Sequence, residues 1–369
     1  MAALKPRPRA LVLSALSLGT GSGLRARYLA VALERLGWEV RLAAPGGPPR
    51  PLSGEMLWGM PGLLEAAWAR VDLAVAVKPY PDAWAALALA RARGAVAVVD
   101  VDDADGGYRG GALAALTQGL QAPAFWVAPF ISTHHPLLKA RLSAAQGAGR
   151  VVDLPQGVDL TVFAAERRRR EGRAWRRAQG LADGILLAFT AHLNVACQLG
   201  PLLTALAPWL RRHPRATLVV AGGGPDEAAF RRLAAPLGPR VRFVGPVDPI
   251  GAARILAASD VGVSAYGPAE GNRYRVPMKV AESLALGTPV VSNGVPGLAD
   301  LMPFLYACDL EPAAYGRALD GALARRDQRT RRGQAFVRRH LDWTRVAAGF
   351  LASLRRGGAR LPLGAGERP

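Results

Sequence analysis

Pro277, Lys279, Glu282 and Gly287 mark a short helix on which anion chemistry can be read from residue type and spacing. Proline suits a first helical position, because its φ is already fixed near the helical value and its missing N–H has no partner there anyway. Gly287 closes the helix about three turns later, and Thr288-Pro-Val-Val-Ser292 reads as a short buried strand. Free N–H groups near Pro277 therefore offer a seat for an anion. Lys279 and Glu282 are three apart and share a face, with the cation in the first turn where the helix dipole does not favour it. Two readings follow: a solvated ion pair, or a cation kept for an external anion. Lysine occurs only at Lys5, Lys78, Lys139 and Lys279, and arginine supplies the rest of the 47 basic residues. Lysine at this position points to a need for a compact ammonium rather than a planar fork.

Two further stretches carry polar chemistry. Val99-Asp-Val-Asp-Asp-Ala-Asp-Gly-Gly107 ends a strand with carboxylates at Asp100, Asp102, Asp103 and Asp105. Crowding is expected to raise some of their pKa values and marks a candidate functional site, the rival reading being caps for the next helix. Side chains alternate along a strand, so only some of the four can converge, and no metal is expected. Leu18-Gly-Thr-Gly-Ser-Gly-Leu24 follows the first strand and precedes an amphipathic helix from about Arg25 to Leu36. A dinucleotide fingerprint needs glycines at the first, third and sixth positions and an acid ending the second strand. Gly19, Gly21 and then Leu24, with Ala44-Pro45 at the strand end, meet neither demand. An anion-cradling loop at Gly21, Ser22 and Gly23, or a plain tight turn, remains.

The elements that must position these residues alternate strand and helix. Ala10 to Ser17, Gly37 to Ala44, Val71 to Val77, Ala95 to Val101 and Trp126 to Thr133 read as strands, with helices at Ala83 to Arg91 and His135 to Gln146. Gly184 to Ala191 restarts the pattern, which predicts open, mainly parallel sheets. At 369 residues, 50% apolar and 20% charged, the chain has the size and composition of two globular domains. Pro45 to Pro61 reads as a long loop. No apolar run reaches the roughly 18 residues needed to span a bilayer, and Leu11 to Leu18 runs into the glycine loop rather than a cleavage site. The expected place is the cytoplasm, with a membrane-peripheral position as the extension. Cys197 and Cys308 make neither a disulfide framework nor a zinc site. A formal charge of +19 favours anionic partners, but nothing interleaves aromatic with basic residues, so no nucleic acid is expected. Glu166 to Gln179 carries seven arginines in a helix, either a solvated face or a contact with anionic lipid head groups.

Pro277 to Val291, as Pro-x-Lys-x-x-Glu-x-Leu-Ala-x-Gly-x-Pro-Val-Val, resembles the donor segment of GT-B glycosyltransferases, particularly the retaining glycosyltransferase family 4. Ala-Gly-Gly-Gly-Pro at 221–225, Val-Arg-Phe-Val-Gly at 241–245 and Ala-Ala-Ser-Asp-Val-Gly-Val at 257–263 extend the likeness over nearly the whole second half. Arg150 to Asp159, with Phe163, resembles the segment that closes the first domain, Gln156 replacing the usual Asn. The resemblance implies an α/β GT-B fold, two Rossmann-like parallel-sheet domains facing each other across a cleft. The expected parts are an acceptor-side domain at 1–165, a donor domain at 166–339, and at 340–369 a helix returning to the first domain plus a disordered tail. It also implies transfer of a sugar, with retention, from a nucleotide diphosphate sugar to an unknown acceptor, with no cofactor required. Glu282 would hold the ribose, the loop at Gly21 to Gly23 and the residue Gly223 would face the diphosphate, and Phe243 and Val244 would hold the base. Asp102 and Asp103 stand where relatives carry a His-Asp or similar pair near the acceptor.

Two departures matter. The first of the family's two glutamates is Tyr274 here, and the family's Arg and Lys clamp is replaced by Thr190-Ala-His-Leu-Asn-Val-Ala-Cys-Gln198. Lys279 with Arg273 or Arg275 is therefore expected to neutralise the diphosphate. The departures keep two alternatives open, a degenerate GT-B subunit that binds a partner or an anionic surface, and a nucleotide-sugar epimerase.

Overall fold

The computed structural model describes residues 6–45, 63–64, 67–103, 111–324 and 328–367, with backbone alone at 113 and 114. The long loop expected up to Pro61, beyond Pro45 itself, and Asp105 lie outside the described residues. The chain divides into two compact units, Met1–Gly157 with Trp343–Pro369, and Val158–Asp342.

In unit 1, strands β1 (Arg9–Ser14), β2 (Glu39–Ala43), β3 (Leu73–Val77), β4 (Val96–Val101), β5 (Phe130–Thr133) and β6 (Val151–Asp153) form a parallel sheet ordered β2-β1-β3-β4-β5-β6. Helices α1 (Gly21–Arg35), α2 (Pro81–Ala92), α3 (Gly111–Val127), α4 (Pro136–Gln146) and α12 (Trp343–Arg356) accompany it. Leu-Ala-Val-Ala-Val in β3 is buried throughout, as a strand covered on both faces requires. Unit 2 repeats the design with β7 (Ile185–Thr190), β8 (Ala216–Ala221), β9 (Val241–Gly245), β10 (Val261–Ser264), β11 (Val290–Ser292) and β12 (Tyr306–Ala307), ordered β12-β11-β10-β7-β8-β9. Its helices are α5 (Ala165–Ala178), α6 (Leu199–Arg212), α7 (Glu227–Ala234), α8 (Pro249–Ala258), α9 (Met278–Leu286), α10 (Pro312–Ala324) and α11 (Gln328–His340). Alternation along β7 sends Leu187 and Phe189 into a core with Trp209 and Tyr315, and Leu186 and Ala188 into a second core with Leu256, Val280 and Leu284.

Several expectations are corrected. Helix α1 starts at Gly21 rather than Arg25, because Thr20 caps it by accepting from Gly23 N at 3.1 Å. Trp126 closes helix α3 instead of opening a strand, and Arg91 donates to the carbonyls of Trp126 and Val127 there. Unit borders fall after Gly157 and after Asp342, since Val158 and Phe163 belong to the second core of unit 2 and Val158 bridges to Asp342. The end of the chain is ordered to Glu367, whose carboxylate accepts from Trp38 Nε1 at 2.9 Å and from Arg355 Nη1 at 2.6 Å. Arginines of α5 also do structural work. Arg168 is buried against Val162 O, Arg176 binds Asp260 at 2.9 Å, and Gly172 lets α5 approach α8, where a Cβ would lie 2.8 Å from Arg254 O. Among the described residues no helix is long and apolar enough to cross a membrane.

Candidate functional site

In an open parallel sheet, ligands bind beyond the carboxyl ends of the strands, where the strand order reverses. In unit 2 the reversal lies between β7 and β10, which brings together the loops 191–198 and 265–277. Gln198, in left-handed backbone at φ 60°, accepts from Gly267 N at 3.0 Å, and Arg275 donates to Ala196 O. A non-glycine residue holds that conformation at a cost of about 1–3 kcal/mol, so the surrounding contacts impose it. Asn293 grips Tyr266 from β11, accepting from its N at 2.8 Å and donating to its O at 2.7 Å. The tied loops feed α9, capped at Pro277 and ended by Gly287 at φ 70°.

Lys279 stands at the centre of this arrangement. Its Nζ lies 3.6 Å from the centroid of the Phe189 ring and, among the described residues, has no hydrogen-bond acceptor although it is buried. Burial pushes its pKa down to about 7; Cys197 and Glu282 oppose the fall and Arg275 adds to it. Burial pushes Glu282, 8% exposed, up to about 7 against the pull of Lys279. A buried ammonium with an aromatic ring behind it and no acceptor in front is a donor suited to an incoming anion. Arg275 belongs to the same loop pair and lies over Tyr266 at 5.9 Å, whereas Arg273 is 62% exposed and 3.5 Å from Glu270. Of the two arginines expected beside Lys279, the structure brings Arg275 there and leaves Arg273 at the surface. Gly223 is a packing position: a Cβ there would lie 2.7 Å from Pro246, and one at Gly222 would lie 1.7 Å from Ala191 O. Phe243 and Val244 sit half-buried on the edge strand β9, with Arg231 4.6 Å above the Phe243 ring.

The two titrations give stability a definite pH dependence. Glu282, raised from 4.5, contributes stability that is full below 4.5 and lost as pH rises to about 7. Lys279, lowered from 10.5, contributes stability that is full above 10.5 and lost as pH falls to about 7. The pair therefore carves a minimum near neutrality. Melting curves of Lys279→Met against pH should lose the alkaline arm of that dip relative to wild type; parallel curves would show that the pair does not titrate there.

Unit 1 has its own reversal, between β1 and β3. Lys78 follows β3 at φ 73°, a second left-handed non-glycine residue, and its Nζ lies 3.1 Å from Asp102 Oδ1, both side chains being buried. Burial pushes the Asp102 pKa up, but Lys78, a hydrogen bond from Ser22, Arg25 and His134 together hold it below the ordinary value. The expected rise is thus reversed, because cations rather than other carboxylates surround it. Asp100 is occupied structurally: Arg25 donates to both of its oxygens, at 2.6 and 3.0 Å, and Ser132 Oγ donates at 2.7 Å. Asp103 follows Asp102, half-buried, beyond the strand end. Gly23 serves the loop itself, since a Cβ would meet Ser17 O at 2.1 Å, while the space at Gly21 is open. His134, after β5, has both ring nitrogens buried without partners among the described residues, and burial, with Arg25, drives its pKa well below 6.5. Sequence reasoning missed the pairing of Lys78 with Asp102. The signal for Lys78 was present, since it is one of four lysines and stands at a strand end.

Residues 185–321 match the family model described as Glycosyl transferases group 1. The GDP-mannose-dependent alpha-(1-6)-phosphatidylinositol dimannoside mannosyltransferase of Mycobacterium tuberculosis is 33% identical over 211 residues, 56% of this chain and 53% of that protein. Alpha-monoglucosyldiacylglycerol synthase of Streptococcus pneumoniae is 30% identical over 154 residues, 40% of this chain and 34% of the relative. The chain spans about half the length of the first of these curated relatives. Among solved structures, sucrose-phosphate synthase from Thermosynechococcus elongatus aligns at TM-score 0.72 and 19% identity, covering 95% of this chain and 98% of that one. Anabaena HepE in complex with UDP-glucose aligns at TM-score 0.71 and 15% identity, covering 94% and 99%. Those likenesses establish the architecture, an α/β fold of two Rossmann-like domains.

Proposed function

We propose, from the premise that this is a GT-B protein whose residues 185–321 form a group 1 glycosyl transferase domain, that it transfers a sugar from a nucleotide diphosphate sugar to an acceptor hydroxyl. The observation that carries the reading is Lys279, a buried ammonium at the strand reversal of unit 2 with no acceptor among the described residues. In this reading Lys279 and Arg275 neutralise the departing diphosphate, where preorganised charge is most effective. Glu282 accepts from the ribose hydroxyls, and Phe243 and Val244 flank the base. Within unit 1, the first turn of α1 at Gly21 and Ser22 is a place where backbone N–H groups can meet an anion. Within unit 1, Asp102, paired with Lys78, and Asp103 after it are the carboxylates assigned to the acceptor. No resident cofactor is assigned, and retention is carried over from the family resemblance.

The first relative is named for GDP-mannose and a phosphatidylinositol dimannoside, and the solved Anabaena neighbour holds UDP-glucose. GDP-mannose and UDP-glucose therefore head the donor panel, and a lipid at an anionic membrane heads the acceptors. A ligand that binds only the native state raises stability by RT ln(1 + [L]/Kd), about 2.7 kcal/mol at 100 Kd. One of GDP, UDP or ADP should raise the melting temperature, and Glu282→Ala should weaken that nucleotide about tenfold or more by removing a charged acceptor. No shift with any nucleotide or its sugar would overturn the reading. A shift without sugar release from any donor would favour the degenerate subunit that Tyr274, in place of a glutamate, keeps in view.

A further inference from the structure

Helix α3, Gly111–Val127, carries no charged residue in 17 positions. Much of it nevertheless faces solvent: Leu116 is 58% exposed and Trp126 80%, and Ala112, Ala115, Gly119 and Ala122 are exposed with them. These positions fall on one side of the helix, opposite the buried Thr117 and Ala124. An outer helix face ordinarily carries charge, so a contiguous uncharged one marks a surface that a partner covers. The exposed Arg91 borders the C-terminal end of this face, fixed to the carbonyls of Trp126 and Val127.

We propose that unit 1 docks on an anionic lipid bilayer through this face of α3, Trp126 and Leu116 entering the headgroup–acyl boundary while Arg91 meets lipid phosphates. Charge decides the occupant. A second copy placed symmetrically on the face would bring like arginines together in a chain of formal charge +19, whereas an anionic surface complements them. Tryptophan beside arginine at the edge of an apolar strip is the pattern of interfacial insertion. The arginine-rich α5 lacks that pattern, because its exposed side offers no apolar group larger than alanine. The proposal rests on the transferase reading for the lipid nature of the acceptor, and on α3 alone for the docking surface.

The test is co-sedimentation of the full chain with vesicles of phosphatidylcholine alone, or of phosphatidylcholine and phosphatidylglycerol in a two-to-one ratio. Binding is expected to the anionic vesicles, with a blue shift of tryptophan emission. Leu116→Glu with Trp126→Ser should lower the partition coefficient by about tenfold or more, with an unchanged melting temperature since both side chains are exposed. Trp126→Ser alone should give a smaller loss in the same direction, and Arg170→Glu with Arg173→Glu on α5 a smaller one still. Failure of the unaltered chain to bind, binding unaffected by the α3 changes, or a dimer that Leu116→Glu dissolves would each overturn the proposal. Nucleotide-induced stabilisation is read in parallel and should survive the α3 changes. If it is absent from the unaltered chain while vesicle binding follows α3, the donor reading fails and the docking stands.

Discussion

Lys279→Ala is expected to lower turnover, measured as sugar release from the best-binding donor, by about 10²–10³-fold, the usual effect of deleting one preorganised charge donor at a developing anion. Lys279→Arg should not restore it. The ammonium is seated 3.6 Å from the centroid of the Phe189 ring, and a planar guanidinium cannot present a point charge from that seat. Because the lysine must be charged to receive a diphosphate and burial has brought its pKa to about 7, kcat/KM should fall about tenfold per pH unit above neutrality. That limb should vanish in Lys279→Arg, since arginine does not titrate there. An unchanged kcat in Lys279→Ala would remove the residue from the machinery altogether.

The second large effect is on stability. Asp100→Ala leaves the Arg25 guanidinium, 1% exposed, in the interior of unit 1 without the carboxylate that takes two of its hydrogen bonds. Breaking a buried pair from one side typically costs about 3–5 kcal/mol. The loss should appear in the transition assigned to unit 1, since two domains need not unfold together. Replacing both partners, Arg25→Met with Asp100→Leu, should recover most of it, because no ion is then stranded. A single-variant loss under about 1 kcal/mol would mean that Leu154 O and Gln156, which also accept from Arg25, suffice.

Much of the architecture was legible because local rules and tertiary packing agree. Apolar runs such as Leu73 to Val77 announced buried parallel strands, and the spacing from Pro277 to Gly287 announced α9, with its cap one residue later than expected. What escaped were facts set by strand order. Lys78 reaches Asp102 because β3 and β4 are neighbours, and Arg25 reaches Asp100 across 75 residues; no local pattern encodes either. Phe125-Trp-Val127 has the composition of a strand, yet it ends a helix packed against α2, with Arg91 on its carbonyls. The tail, rich in Gly and Pro, looked unable to order itself, but Gly364 and Gly37 permit backbone contacts that side chains would block, and Glu367 fastens them to Trp38 and Arg355. At the site, the helix carrying Lys279 and Glu282 was legible, whereas the depth of their burial was not.

Unit 2 is threaded into unit 1: the chain leaves the first sheet after Gly157 and comes back at Trp343, whose ring lies fully buried against Gly157 and 5.6 Å from Arg25. During synthesis every residue from Val158 to Asp342 has therefore been made before α12 exists, so the inserted domain can mature while the earlier one still lacks the helix that fills its interior. Nascent chains halted before Trp343 should thus resist protease in 158–342 and remain cleavable within the first six strands.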